Sequence, residues 1–162
     1  MDKKGNKIGV VSLQGRVFMP PIDCPFMKIK EILKEIRKET KFIIIDFHAE
    51  ATSEKIAMGW HIDGEASCIY GTHTHIQTAD ERVLPEGTGY ISDIGMTGST
   101  NGVIGMTVNS ILPKFLNSLP QRFEIAEGGE RICGITLELD EETGECANIE
   151  RINKSLTEIE YM

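Results

Sequence analysis

The sequence predicts a mixed α/β fold in a single domain spanning residues 1–162, and three observations carry that prediction. Two apolar runs, Ile8–Leu13 and Phe42–Phe47, read as strands covered on both faces. A stripe of apolar residues at helical spacing lies between them, and strand, helix, strand in that order implies a parallel crossover. Beyond residue 120 the pattern changes to apolar and polar residues in alternation, interrupted by a turn, which implies an antiparallel hairpin.

The 40% hydrophobic content of the 162 residues is enough for a core of ordinary domain size. Seventeen Lys and Arg against 25 Asp and Glu give a formal charge of −8, with no basic cluster dense enough to follow a phosphate backbone. A nucleic-acid polymer is therefore excluded as a partner, whereas a small phosphodiester held by a metal is compatible. The four cysteines, Cys24, Cys68, Cys133 and Cys146, form no C-x-x-C pair. With no secretory leader before them they read as reduced thiols, and a cytoplasmic location is expected. No apolar run has the length of a membrane span.

Taken in order, the first strand is followed by a connection with Pro20, Pro21 and Pro25 and no periodicity, hence a loop. Pro25 can open a helix whose buried stripe is Phe26, Ile29, Ile32, Leu33 and Ile36. After the second strand, Ala51–Ile62 reads as a second helix, with Thr52 or Ser53 as its cap, Glu54 in its first turn, and Asp63-Gly64 as its end. Ala66–Tyr70 is a buried strand, and Thr78–Gly89 a polar loop. Tyr90 begins a short strand that becomes glycine-rich through Gly102. That stretch lacks the Gly-Lys-Ser/Thr of a phosphate-binding loop and reads as a tight, close-packed loop bordering the site. Val108–Leu119 is helical, with Pro113 near its first turn or kinking it. Arg122–Ala126, Arg131–Leu139 and Cys146–Ile152 alternate, the last two joined through Asp140–Glu145.

The chemistry concentrates in Gly71-Thr72-His73-Thr74-His75, which holds two of the four histidines. In an extended chain residues two apart face the same way, so both imidazoles could reach one ion or two adjacent ions, and Gly71 lets the backbone come close. His48 ends the neighbouring strand, so His48, His73 and His75 form a candidate metal site where active sites of open α/β sheets gather. Three imidazoles suit one zinc with an open position, whereas a two-metal hydrolase needs a bridging carboxylate as well. Asp46, on the same face as His48, reads equally as a residue orienting an imidazole or as a polar strand end. His61, between Trp60 and Ile62 on a helix, reads as structural.

Asp46-Phe47-His48-Ala49-Glu50-Ala51-Thr52-Ser53-Glu54-Lys55, Gly71-Thr72-His73-Thr74-His75, Thr78-Ala79-Asp80, Leu84-Pro85 and Asp93-Ile94-Gly95-Met96-Thr97-Gly98 resemble the YmdB-like branch of calcineurin-type metallophosphoesterases, and Gly15-Arg16-Val17-Phe18-Met19 fits the same branch. The resemblance implies the C-terminal part of a two-sheet α-β-β-α metallophosphoesterase sandwich, a mixed sheet with a C-terminal antiparallel hairpin. It implies hydrolysis of 2′,3′-cyclic nucleotides at the 2′ bond by a two-metal centre. His48 and His73 would bind one ion and His75 the other. The metal would be a divalent transition metal, iron in the family, with manganese and zinc as alternatives.

Family members also carry a preceding segment with an Asp, a bridging Glu next to an Asn, and an Asn-His pair, none of which precedes Ile8 here. Ser99-Thr100-Asn101-Gly102 departs from the bulkier, Pro-containing family version. The resemblance therefore assigns metal ligands but no catalytic residue to this stretch, and an isolated chain is expected to be inactive. An uncovered sheet edge implies either a homo-oligomer or the N-terminal segment as partner. The competing expectation is a stand-alone three-histidine metal-binding module, or a subunit of a split enzyme.

Overall fold

The computed structural model describes residues 5–160. Strands and helices alternate through the first half as β1 (Gly9–Gln14), α1 (Pro25–Ile36), β2 (Ile43–His48), α2 (Thr52–His61) and β3 (Cys68–Thr72). The short strands β4 (Arg82–Val83), β5 (Gly89–Ile91) and β6 (Gly98–Ser99) follow, then α3 (Val108–Asn117), β7 (Glu130–Leu139), β8 (Cys146–Ser155) and α4 (Leu156–Glu160). One sheet has the order β1-β2-β3-β5-β4, parallel except where β4 runs against β5. The second is antiparallel, in the order β6-β7-β8.

Alternation along the strands sorts the core into two layers. Val11, Ile43, Ile45 and Phe47 face Ile29 and Leu33 of α1 and Met58 and Ile62 of the α2 region. On the opposite face Ile44, Cys68 and Tyr70 pack against Ile135, Leu137, Leu139, Cys146 and Ile149 of the hairpin. The expected mixed sheet and antiparallel hairpin are both present, stacked as helices, sheet, sheet. The four cysteines are free thiols, and burial pushes the Cys68 thiol up, with Cys146 close by adding to it. Among the described residues no helix is long and apolar enough to cross a membrane.

Several local expectations are corrected. Neither Thr52 nor Ser53 caps α2: the N-cap is Ala51, without a side-chain hydrogen bond, because Thr52 is already the first helical residue. Of the two placements expected for Pro113, near the first turn or within the helix, α3 has the second. The loop before β5 contains the two-residue strand β4, which closes the sheet edge. Arg122–Ala126 is irregular apart from one bridge, Met106 to Ile125.

Two surfaces stay open among the described residues. β1 pairs only with β2, and Val10 beside that edge is 70% exposed. On α3 only Ser110 and Ile111 are buried, leaving Leu112, Phe115 and Leu116 in solvent.

Gly71 is where the strands come closest. A Cβ there would sit 1.8 Å from the Ser92 carbonyl oxygen and 2.7 Å from Lys55 Cδ. Gly71→Ala should therefore destabilise the fold by at least the ~1–3 kcal/mol typical of overpacking, since one of the obstacles is backbone. Urea unfolding of the variant checks this.

Candidate metal centre

Parallel pairing of β2 with β3 sets His48 opposite Thr72 at the C-terminal ends of both strands. The Thr72 hydroxyl donates to Asp46 Oδ1 at 2.7 Å, so toward His48 Nδ1, 3.0 Å away, it can only accept. His48 therefore carries its proton on Nδ1, and its Nε2 lone pair points at His73 Nδ1, 3.0 Å away. The two rings meet edge to face, with centroids 4.7 Å apart. The other nitrogen of His73, Nε2, faces Glu50 Oε2 at 2.8 Å.

A neutral His73 has one N–H for two acceptors, the His48 lone pair and the Glu50 carboxylate. A cation taken up beside the facing nitrogens would give both imidazoles a partner. Two nitrogens at ~2.0–2.1 Å from one ion and at right angles to each other would lie about 2.9 Å apart, close to the spacing seen. Each imidazole also has an outer partner at its far nitrogen, Thr72–Asp46 for His48 and Glu50 for His73, as ligating histidines do. Two imidazole nitrogens supported in this way are of the kind a divalent transition metal takes, as part of a larger donor set.

The histidine pair of the Gly71–His75 run does not sit on an extended strand. β3 ends at Thr72, and His73 and His75 have φ of 101° and 67°. The two imidazoles are therefore not paired by alternating faces, because both residues have left-handed backbones in a loop. Thr74 between them anchors that loop: its N–H and hydroxyl both donate to Asp93 Oδ2, at 3.1 and 2.6 Å. Lys55 of α2 meets the same oxygen at 2.9 Å, and Gly95 N donates to Oδ1. Lys55 and Asp93 are 3% and 1% exposed. Burial works to raise the Asp93 carboxyl, but hydrogen bonds from Thr74, Lys55 and Gly95, together with the Lys55 charge, outweigh it and hold the group below the usual range.

His75 points elsewhere than the His48–His73 pair. It is exposed and lines a separate cleft with Ile76, Met96 and Ile104. Among the described residues no three His, Cys, Asp or Glu side chains converge as one ligand group. His61 is structural, as expected: its Nε2 lies 2.8 Å from the Phe26 carbonyl and its ring packs on Phe26.

With this geometry in view, comparison with known proteins is decisive for the family. The sequence profile of the YmdB-like protein family matches residues 1–152. The chain belongs to the YmdB-like family. It is 51% identical over 148 residues to the 2′,3′-cyclic-nucleotide 2′-phosphodiesterase of Bacillus subtilis (strain 168), covering 91% of this chain and 56% of that protein. A crystal structure from Thermus thermophilus, described as a hypothetical protein, superposes with a TM-score of 0.88 at 37% identity, covering 96% of this chain and 60% of that one. The crystal structure of a novel phosphatase from Mycoplasma pneumoniae gives 0.82 at 34% identity, covering 90% and 52%. The chain thus spans little more than half the length of these relatives.

In this YmdB-like chain the residues that sequence reasoning missed are Glu50, Thr72, Lys55 and Asp93. Glu50 and Thr72 adjoin histidines in sequence, and a search for partners of ligating imidazoles finds both. Lys55 and Asp93 are 38 residues apart, and only the fold joins them. Lys55→Met would leave Asp93 buried without its counter-charge, at a cost of about 3–5 kcal/mol, readable by urea unfolding. The sign with pH follows from Asp93's depressed folded-state pKa. Its contribution is complete above the unfolded value of ~3.9 and is lost as pH falls through the folded one. The acid limb of the Tm profile should accordingly be flatter in Asp93→Asn.

Proposed function

We propose that the chain takes part in metal-dependent hydrolysis of 2′,3′-cyclic nucleotides at the 2′ bond. His48 and His73 would hold one divalent transition metal and His75 would reach a second; iron is the first choice, with manganese and zinc as alternatives. The carrying observation is the facing of His48 Nε2 and His73 Nδ1 across 3.0 Å with both outer nitrogens already engaged. The name of the Bacillus subtilis relative supports the same substrate class. When bound, the ions would stabilise the negative charge that builds on the phosphoryl oxygens.

This chain's own residues have positioning roles. Thr72 and Asp46 keep His48 in the Nδ1–H form, and Glu50 orients His73. Asp93 and Lys55 hold Thr74, and with it the loop that presents both histidines. Among the described residues no group of three or more His, Cys, Asp or Glu side chains gathers at the histidine pair to complete a two-metal centre. General acid–base help alone is worth ~10²–10⁴-fold. The 162-residue polypeptide by itself should therefore show little or no turnover of 2′,3′-cyclic nucleotides. Self-association belongs to the same reading, because the β1 edge and the apolar side of α3 are surfaces that partners cover.

The test pairs elemental analysis with a 2′,3′-cyclic nucleotide hydrolysis assay on the family's longer polypeptide carrying this sequence. His73→Ala should remove the ion held by the pair and lower turnover by at least ~10²-fold, the scale of losing charge stabilisation at the reacting phosphate. Unchanged hydrolysis in that variant sinks the proposal. Metal bound stoichiometrically by a protein that hydrolyses no phosphodiester would favour the metal-binding module instead.

A further inference from the structure

The cleft beside His75 is not used by the His48–His73 pair, and apart from His75 its walls are largely apolar or hydrogen-bonded within the protein. It encloses about 230 Å³ between the loop after β3, the glycine-rich segment and the β7–β8 hairpin. That is less than the ~300–1,000 Å³ of sites that bury a whole drug-sized ligand, so it suits one ring system of a larger molecule. Ile76 and Ile104, 65% and 45% exposed, edge it with Met96. Ile104 has φ of 44°, a costly backbone for a β-branched residue and of the kind found at ligand sites.

Gln77, Asn153 and Arg131 form a hydrogen-bonded wall of the cleft. The Gln77 amide donates to the carbonyls of Ile94, Gly134 and Ile152 and accepts from Asn153 Nδ2. Asn153 in turn takes Arg131 Nε at 2.6 Å on its side chain and Nη2 at 3.1 Å on its carbonyl. Those two bonds fix the guanidinium at the wall of the cleft, and a planar guanidinium held in place can stack on a π-ring.

We infer that the cleft beside His75 is a nucleobase subsite, with Ile76, Ile104 and Arg131 as its contacts, which holds the base while the ribose phosphate lies toward the histidines. This rests on the cyclic-nucleotide reading above and adds where the base goes and how it is recognised. Apolar contact and stacking do not discriminate among bases, and the Gln77 and Asn153 side chains are held by each other, by Arg131 and by backbone carbonyls. All four bases should bind with similar affinity.

The test is a titration of protein labelled with ¹³C at the isoleucine methyls, using the four nucleoside 3′-monophosphates and, as a base-free probe, ribose 3-phosphate. Each nucleotide should shift the Ile76 and Ile104 methyls saturably, and ribose 3-phosphate should bind at least about tenfold more weakly. Ile76→Ala/Ile104→Ala, both at exposed positions, should weaken the nucleotides by about tenfold or more and leave ribose 3-phosphate unchanged. Equal binding of the base-free probe, nucleotide shifts that miss these methyls, or no nucleotide binding would each overturn the subsite. Nucleotide binding here without any cyclic-nucleotide hydrolysis by the longer polypeptide would overturn the hydrolase reading and leave the subsite standing.

Discussion

The site depends on a single buried ion pair. Lys55 and Asp93 lie almost wholly out of water, where separate charges would be costly, and each is satisfied only because α2 and the end of β5 converge behind the loop that carries His73 and His75. Asp93 Oδ2 accepts from Lys55 and from both donors of Thr74, so one oxygen ties helix, sheet and loop together. The left-handed backbones of the two histidines cost on the order of 1–3 kcal/mol each. Charge-assisted hydrogen bonds at Thr74, the residue between them, are the natural offset. Gly71 completes the knot, since any side chain there would collide with the Ser92 carbonyl and with Lys55.

The partners at the outer nitrogens explain why two histidines face each other at 3.0 Å. Left free, a pair of imidazoles would turn to share protons with water. Here His48 is held at its outer nitrogen by Thr72, which Asp46 holds in turn, and His73 by Glu50. The carboxylates at Asp46 and Glu50 place negative charge behind both rings, and the short links leave little room for either ring to rotate.

Local pattern is what the sequence makes legible. The apolar runs of β1 and β2, the stripe of α1 and the alternation of β7 and β8 reflect one-dimensional periodicities, and each element lies where the pattern puts it. That His48 and His73 come together is legible because both follow neighbouring parallel strands at the same end of the sheet, and His61 is readable as structural from its helical neighbours. Pairing His73 with His75 by alternating faces is wrong, because spacing alone does not reveal a left-handed backbone. The missing side-chain cap on α2 is a case where tertiary context overrides local preference. Lys55 with Asp93 is not legible: each looks like an ordinary charged residue until the fold buries both.

The hairpin has a second role that its strand pattern does not announce. Gln77, just past the histidine loop, spends its two amide hydrogens on three carbonyls, one of β7, one of β8 and one of the segment after β5. It is the polar counterpart of the apolar contact between the sheets, and it lies at the end of the sandwich where the histidines are. The apolar layer of Cys68, Cys146 and Ile149 fixes the distance between sheets but tolerates sliding, as non-directional burial does. Directional hydrogen bonds from one side chain to both strands do not. The position of β7 and β8 relative to His73 and His75 is thus set beside the site itself, and a change to Gln77 would move the hairpin wall against the histidine loop with little effect on the buried layer.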